Sequence, residues 1–177
     1  MRFATTLAAF AFALALVAIY LAVQPPPPPV PEAAEAEEEP EELAHLMAFV
    51  QRYAEKLYLA GTSDNAALAQ FYVEELEETF EEVAAGGYVE AGHDVGELVE
   101  TVARPALTGV EQALEARALA ADTTGTRARF EARFAELVRA CNSCHETTAH
   151  GYVRIVVPEA GGFPSQDFRP AGAAPED

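Results

Sequence analysis

The chain has no tryptophan and only two cysteines among its 177 residues, and its 11 lysines and arginines face 29 aspartates and glutamates. A net charge of −18 excludes nucleic acid as a partner, because phosphate backbones are gripped by lysine and arginine. Two cysteines three residues apart do not make a disulfide framework. No second ligand pair stands at the spacing a zinc ribbon needs, so a structural zinc site is excluded as well. An alternating strand–helix pattern is also missing, which removes a thioredoxin-like setting for the pair. No internal repeat is evident.

The long apolar run is at the N-terminus. Met1-Arg2 is followed by an uncharged stretch from Phe3 to Val23, broken only by Thr5, Thr6 and Tyr20. As helix it measures about 31 Å, close to the roughly 30 Å hydrocarbon core of a bilayer. Residues 1–24 are therefore expected to be a transmembrane anchor, with a cleaved signal peptide as the alternative. The length, and the lack of a small-x-small site between the run and Pro25, favour the anchor. No cysteine ends the run, so N-terminal lipidation is not expected, and Arg2 argues for an N-terminus on the inner side. Pro25 to Pro29 and Pro31 then form a stiff spacer, and residues 31–42 hold seven glutamates and no base. This linker, 25–40, reaches about 50 Å when extended and cannot build a core. Residues 41–158 are expected to be one domain, and 159–177, rich in Gly, Pro and Ala, a flexible tail, with docking through Phe163 and Phe168 as the alternative.

Both cysteines lie within Cys141-Asn142-Ser143-Cys144-His145. C-x-x-C-H is the attachment signature of c-type haem, in which two thiols form thioethers to the porphyrin and the histidine ligates iron. On a helix the three side chains project from one face. The reading is one covalently attached haem c, held by Cys141 and Cys144 with His145 as proximal iron ligand. Haem c is attached on the extracytoplasmic side of bacterial membranes, which agrees with an export signal and an extracytoplasmic, membrane-anchored location, or a soluble periplasmic one after cleavage.

Apolar spacing predicts four helices. The first spans about 41–60, with a stripe of Leu43, Met47, Val50, Ala54, Leu57 and Tyr58, and ends at Gly61. Ser63 or Asp64 caps the second, whose stripe is Ala69, Tyr72, Val73, Leu76, Phe80 and Val83 before Gly86-Gly87. The third begins at Asp94 with Glu97 as capping-box partner; its stripe is Leu98, Val102, Ala106, Val110, Ala113 and Leu114, with a kink at Pro105. The fourth starts near Thr124 to Thr126 and carries Phe130, Phe134, Leu137, Val138, Cys141, Cys144 and His145. Tyr152 to Val157 is the one strand-like run and is expected to pack over the haem edge. The fold class is all-α, an up-down-up-down four-helix bundle enclosing one haem at one end.

This combination resembles the four-helix-bundle cytochromes: cytochrome c-prime, with its C-x-x-C-H near the end of helix four, and its non-covalent b-type cousin. It is also similar to a family of small exported c-type cytochromes through Lys56-Leu57-Tyr58-Leu59-Ala60-Gly61, Tyr72-Val73-Glu74-Glu75-Leu76-Glu77-Glu78 and Ala140 through Pro158. The likeness covers most of 45–158. Members of that family often carry histidine two residues before the lysine of the first motif, where this chain has Ala54, so no iron ligand carries over at that position. The b-type relative has its ligating methionine near the start of the first helix, which the resemblance maps onto Met47.

The sixth iron position separates an electron carrier from a gas binder. Met47, about two turns into the first helix, is the candidate distal ligand, against plain core filling. His45 lies off the stripe and is expected to face solvent. His93, in the Gly-rich loop 86–96, could fold over a haem face. His150 follows His145 too closely to reach the opposite face and suits a hydrogen bond to propionate or backbone. Arg139 and Arg154 flank the motif as candidate propionate partners. Glu42-x-x-His45 and Glu90-x-x-His93 both fit E-x-x-H, but a di-iron site needs both pairs facing inward from helices.

Helix two carries Glu74, Glu75, Glu77, Glu78, Glu81 and Glu82 without a base. Their i,i+4 repulsions cost a few tenths of a kcal/mol each. A solvated face explains them; so does steering of a basic redox partner. The expected function is single-electron transfer by a membrane-tethered extracytoplasmic monohaem cytochrome. Alternatives are a c-prime-like binder or sensor of NO or CO with five-coordinate haem, and an accessory haem subunit of a membrane redox complex. An enzyme is not expected, since a peroxidase needs a distal acid–base group and only His93 offers one.

Overall fold

Helix dominates, and the apolar spacing explains where it forms. Helix α1 spans Leu43–Thr62, α2 Ala66–Ala85, and α3 Val95–Leu98. Helix α3 runs through a π-helical turn at Val99–Ala103 into α4, Arg104–Ala118, and α5 spans Thr124–Thr147. This computed structural model describes residues 43–118, 124–159 and 163–173, all within a unit spanning Pro40–Asp177. The anchor expected over 1–24 and the linker over 25–40 lie outside the described residues. Among the described residues no helix is long and apolar enough to cross a membrane.

Helix α1 packs along α2, and α4 along α5; α2 also meets α4, and α1 meets α5. One cluster of buried side chains is shared by all of them, including Leu57, Leu76, Leu107, Val110, Phe130 and Phe134. The α5 stripe runs as its sequence predicts, from Phe130 and Phe134 through Leu137 and Val138 to the half-buried Cys141.

Several expectations need correction. Gly61 does not end α1. It is buried within the helix because the Phe130 ring occupies the space where a Cβ would be, and the helix continues to Thr62. The cap of α2 is Asn65, whose side chain accepts from Leu68 N–H at 3.2 Å, and not Ser63 or Asp64. Asp64 adopts a left-handed conformation (φ 61°) and gives its carboxylate to Arg117, which also donates to the Gly61 carbonyl. The cap at Asp94 is as predicted, accepting from Glu97 N–H.

In the third helical stretch the buried apolar side chains ahead of Val110 are Val95, Val99, Ala103 and Leu107, so each of Leu98, Val102 and Ala106 is one residue out of phase. The π turn explains this shift. Pro105 has no N–H and its ring crowds the carbonyl four residues back, so the preceding turn widens, and a spacing of four then stays on one face. Beyond it, Val110, Ala113 and Leu114 are buried as expected.

The Gly-rich stretch after α2 contains an antiparallel hairpin, β1 (Val89–Glu90) and β2 (His93–Asp94), pairing Glu90 with His93. Its two turn residues, Ala91 and Gly92, both have positive φ (50° and 84°), as a two-residue hairpin turn demands. Tyr152 to Val157 forms no strand: Tyr152 lies in a turn, Val153 in a bend, and 154–157 have no regular secondary structure. The tail is expected to be loose, yet Phe163 to Arg169 makes specific contacts with the domain. Phe168 packs against the core, Gln166 donates to Tyr72 Oη at 2.6 Å, and Asn65 donates to the Arg169 carbonyl at 3.0 Å. Arg52 and Lys56 lie over the Phe163 ring.

Candidate functional site

The α5 stripe ends at a cavity of about 410 Å³, within the size range of small-molecule and cofactor sites. Cys141, Cys144 and His145 form its α5 wall, joined by Thr148 just beyond the helix end. Helix α1 contributes Leu43, Ala44, Met47, Ala48, Val50, Gln51 and Ala54. Val95, Leu98, Val99 and Ala103 supply a third wall, so the π turn shapes the cavity directly, and Phe80 adds to it from α2. Polar groups are few: Glu90 of the hairpin, Gln51, Thr148 and His150.

His145 is oriented by the segment that follows α5. Its Nδ1 lies 2.8 Å from the Val153 carbonyl, and since a carbonyl can only accept, Nδ1 carries the proton. In neutral imidazole the lone pair is then on Nε2, the arrangement metal-ligating histidines commonly take. The turn that brings Val153 there begins at the end of α5. Ala149 adopts a left-handed conformation (φ 62°), His150 N–H donates to the His145 carbonyl at 2.7 Å, and Val153 N–H donates to the His150 carbonyl at 2.8 Å. The chain doubles back along the helix until Ile155 meets Asn142.

Both thiols are free and half-buried. Burial pushes the Cys141 thiol up to about 11, with the neighbouring Cys144 adding to the effect, and burial also raises Cys144. A dithiol redox centre needs the opposite, a thiolate stabilised toward neutral pH. Among the described residues no cluster of three or more His, Cys, Asp or Glu side chains is arranged to hold a bare metal ion.

No known protein family, curated protein or solved structure matches this chain. Its functional reading rests on the site's own chemistry.

Cys141, Cys144, His145 and Met47 line one cavity, as the stripes of the first and fourth predicted helices require. Ala54, the position at which the resembling family often has histidine, lines it too and offers no ligand atom. His45 is exposed, as expected, and so is His93, which the hairpin turns away from the cavity. His150 does reach the wall, its ring 5.7 Å from that of Tyr152. Arg139 is exposed and 3.9 Å from Glu136, and Arg154 is exposed on the returning segment; neither lines the cavity. Val153 and Ile155 of that segment line it, while Tyr152 and Val156 point outward. Sequence reasoning missed Glu90 as a cavity residue and Asn142 as a structural one. The tight Ala91-Gly92 turn was the available signal for Glu90, while Asn142 was hidden inside the motif.

Proposed function

We propose that the chain is a monohaem c-type cytochrome that passes single electrons, its haem seated at one end of an up-down-up-down four-helix bundle. The observation that carries this reading is that Cys141, Cys144 and His145 share the wall of one largely apolar cavity with Met47. Cys141 and Cys144 would hold the porphyrin by thioethers, and His145 Nε2 and the Met47 thioether would supply ligand atoms to its iron. Bound there, haem supplies one-electron exchange at its iron. The apolar walls exclude water and so favour the less charged redox state, which tunes the potential. A resident methionine ligand keeps the iron coordination constant between states, the property an electron carrier needs. The chain's attachment to the extracytoplasmic face of a membrane, through residues 1–24, belongs to the same proposal.

The deciding experiment is the absorption spectrum of the purified protein, oxidised and reduced, with and without carbon monoxide. A low-spin spectrum indifferent to the gas is expected. Met47→Ala should then give a high-spin form that binds carbon monoxide; an unchanged spectrum would clear Met47 of ligation. The c-prime-like alternative is favoured by one feature: apart from Met47, the α1 wall is largely alanines and aliphatics. A wild-type spectrum that is high-spin and gas-sensitive would select it. Copurification of other membrane subunits would instead select the accessory-subunit reading.

The glutamates of α2 are proposed to steer a basic redox partner. Six glutamates and no base on one helix make this surface strongly negative; Glu77 among them is held above its ordinary value chiefly by partial burial, then by Glu111, with Arg104 opposing. Raising ionic strength from about 0.01 to 0.15 M shortens the screening length from about 30 to 8 Å. Electron exchange with a basic cytochrome should slow at least severalfold over that range. A rate indifferent to salt would refute the steering role.

A further inference from the structure

Asn142 is one of the two residues between the motif cysteines, and its side-chain amide lies along the backbone of Ile155. Nδ2 donates to the Ile155 carbonyl at 2.9 Å, and Oδ1 accepts from the Ile155 N–H at 2.8 Å. Two residues earlier, the Val153 carbonyl accepts from His145 Nδ1 at 2.8 Å. One short segment is therefore tied to α5 at two successive points, first at His145 and then at Asn142. Little else anchors it. It has no strand partner among the described residues, and Tyr152 and Val156 are 79% and 70% exposed. Ile155 is its partly buried side chain. A paired donor and acceptor fix the orientation of the peptide as well as its distance, which a single hydrogen bond does not.

We propose that Asn142 is a positioning residue for His145: by pinning Ile155 it keeps the Val153 carbonyl on His145 Nδ1 and so sets the donor strength of Nε2. This deepens the haem reading and rests on it. A carbonyl that accepts firmly from Nδ1–H leaves more electron density on the ring, and a more basic ligand favours oxidised iron. Loosening the segment weakens that bond and should raise the reduction potential.

The test compares the full-length wild type with Asn142→Ala and Asn142→Leu, the latter keeping most of the side-chain volume while removing both hydrogen bonds. Two readouts are needed. Trypsin cleavage after the exposed Arg154 reports the tie itself, because the scissile bond contains the Ile155 N–H; both variants should be cut about tenfold faster. Redox titration reports the effect on the ligand; both should titrate at higher potential than wild type, with covalent haem intact. Faster cleavage with unchanged potential makes Asn142 a purely structural tie and overturns the proposal. Unchanged cleavage overturns it as well. Wild type without covalent haem sinks the haem reading itself and the tuning role with it, whereas haem at identical potentials in all three chains removes only the role of Asn142.

Discussion

Cys141→Ser combined with Cys144→Ser is expected to leave no haem on the chain after acid–acetone extraction, whereas the wild type keeps all of it. A thioether needs sulfur, and these are the two sulfurs of cysteine the chain has. Each single variant retains one attachment point and should hold its haem through extraction with an altered spectrum. On the proposed haem reading, His145→Ala should separate the two functions of the motif, leaving the porphyrin attached while removing the nitrogen that would ligate iron. The helix itself should survive, because the apolar anchors of α5 are Phe130, Phe134 and Leu137, all buried and upstream of the motif. Circular dichroism of the double variant therefore distinguishes failure to attach from failure to fold. Haem that resists extraction in the double variant would refute attachment through this motif. Burial raises both thiols above their ordinary value, which disfavours the thiolate that disulfide exchange needs.

Much of this site was legible from residue spacing, because a helix converts spacing into facing. Phe130, Phe134, Leu137, Cys141, Cys144 and His145 follow one stripe, and they end at one cavity wall. The same logic brought Met47 and Ala54 to that cavity from α1. It failed where the helical period changed. The π turn before Pro105 shifted the buried set by one residue, and it is this turn that directs Val99 and Ala103 to the cavity. A proline announces that something must give, but the sequence does not say whether the helix bends or widens. Backbone-mediated contacts were equally hidden. The Val153 carbonyl has no side-chain signature, so the partner of His145 could not be read from residue types. Asp64 resembled a cap, but a long-range partner, Arg117, claims its carboxylate, and Asn65 takes that role. The tail shows the same limit: Phe163 and Phe168 stand out in its sequence as residues able to dock, but composition does not name their partners, Arg52 and Lys56 for Phe163 and the core for Phe168, nor the bond from Gln166 to Tyr72.

Phe130→Ala is expected to destabilise the fold by about 3–5 kcal/mol, a large share of the roughly 5–15 kcal/mol that holds a domain together. Phe130 is fully buried and sits 6.2 Å from the Tyr58 ring and 6.3 Å from Phe134. It also explains a glycine inside a helix. A Cβ on Gly61 would lie 2.2–2.8 Å from three atoms of the Phe130 ring, far inside contact distance. Gly61→Ala should therefore cost about 1–3 kcal/mol through overpacking, although alanine in a helix is otherwise better than glycine by about 0.5–1 kcal/mol. The two substitutions must then couple. With the ring gone, the new methyl enters vacated space and the intrinsic preference for alanine is released, so the double variant should be less destabilised than Phe130→Ala alone. Denaturant midpoints of the four chains measure this, and the hydrogen bond from Arg117 to the Gly61 carbonyl is common to all four. Independent sites would add to within about 0.5 kcal/mol; additivity here would show that the ring does not select the glycine. A coupling above about 1 kcal/mol would establish that the close crossing of α1 and α5 is set by this one pair.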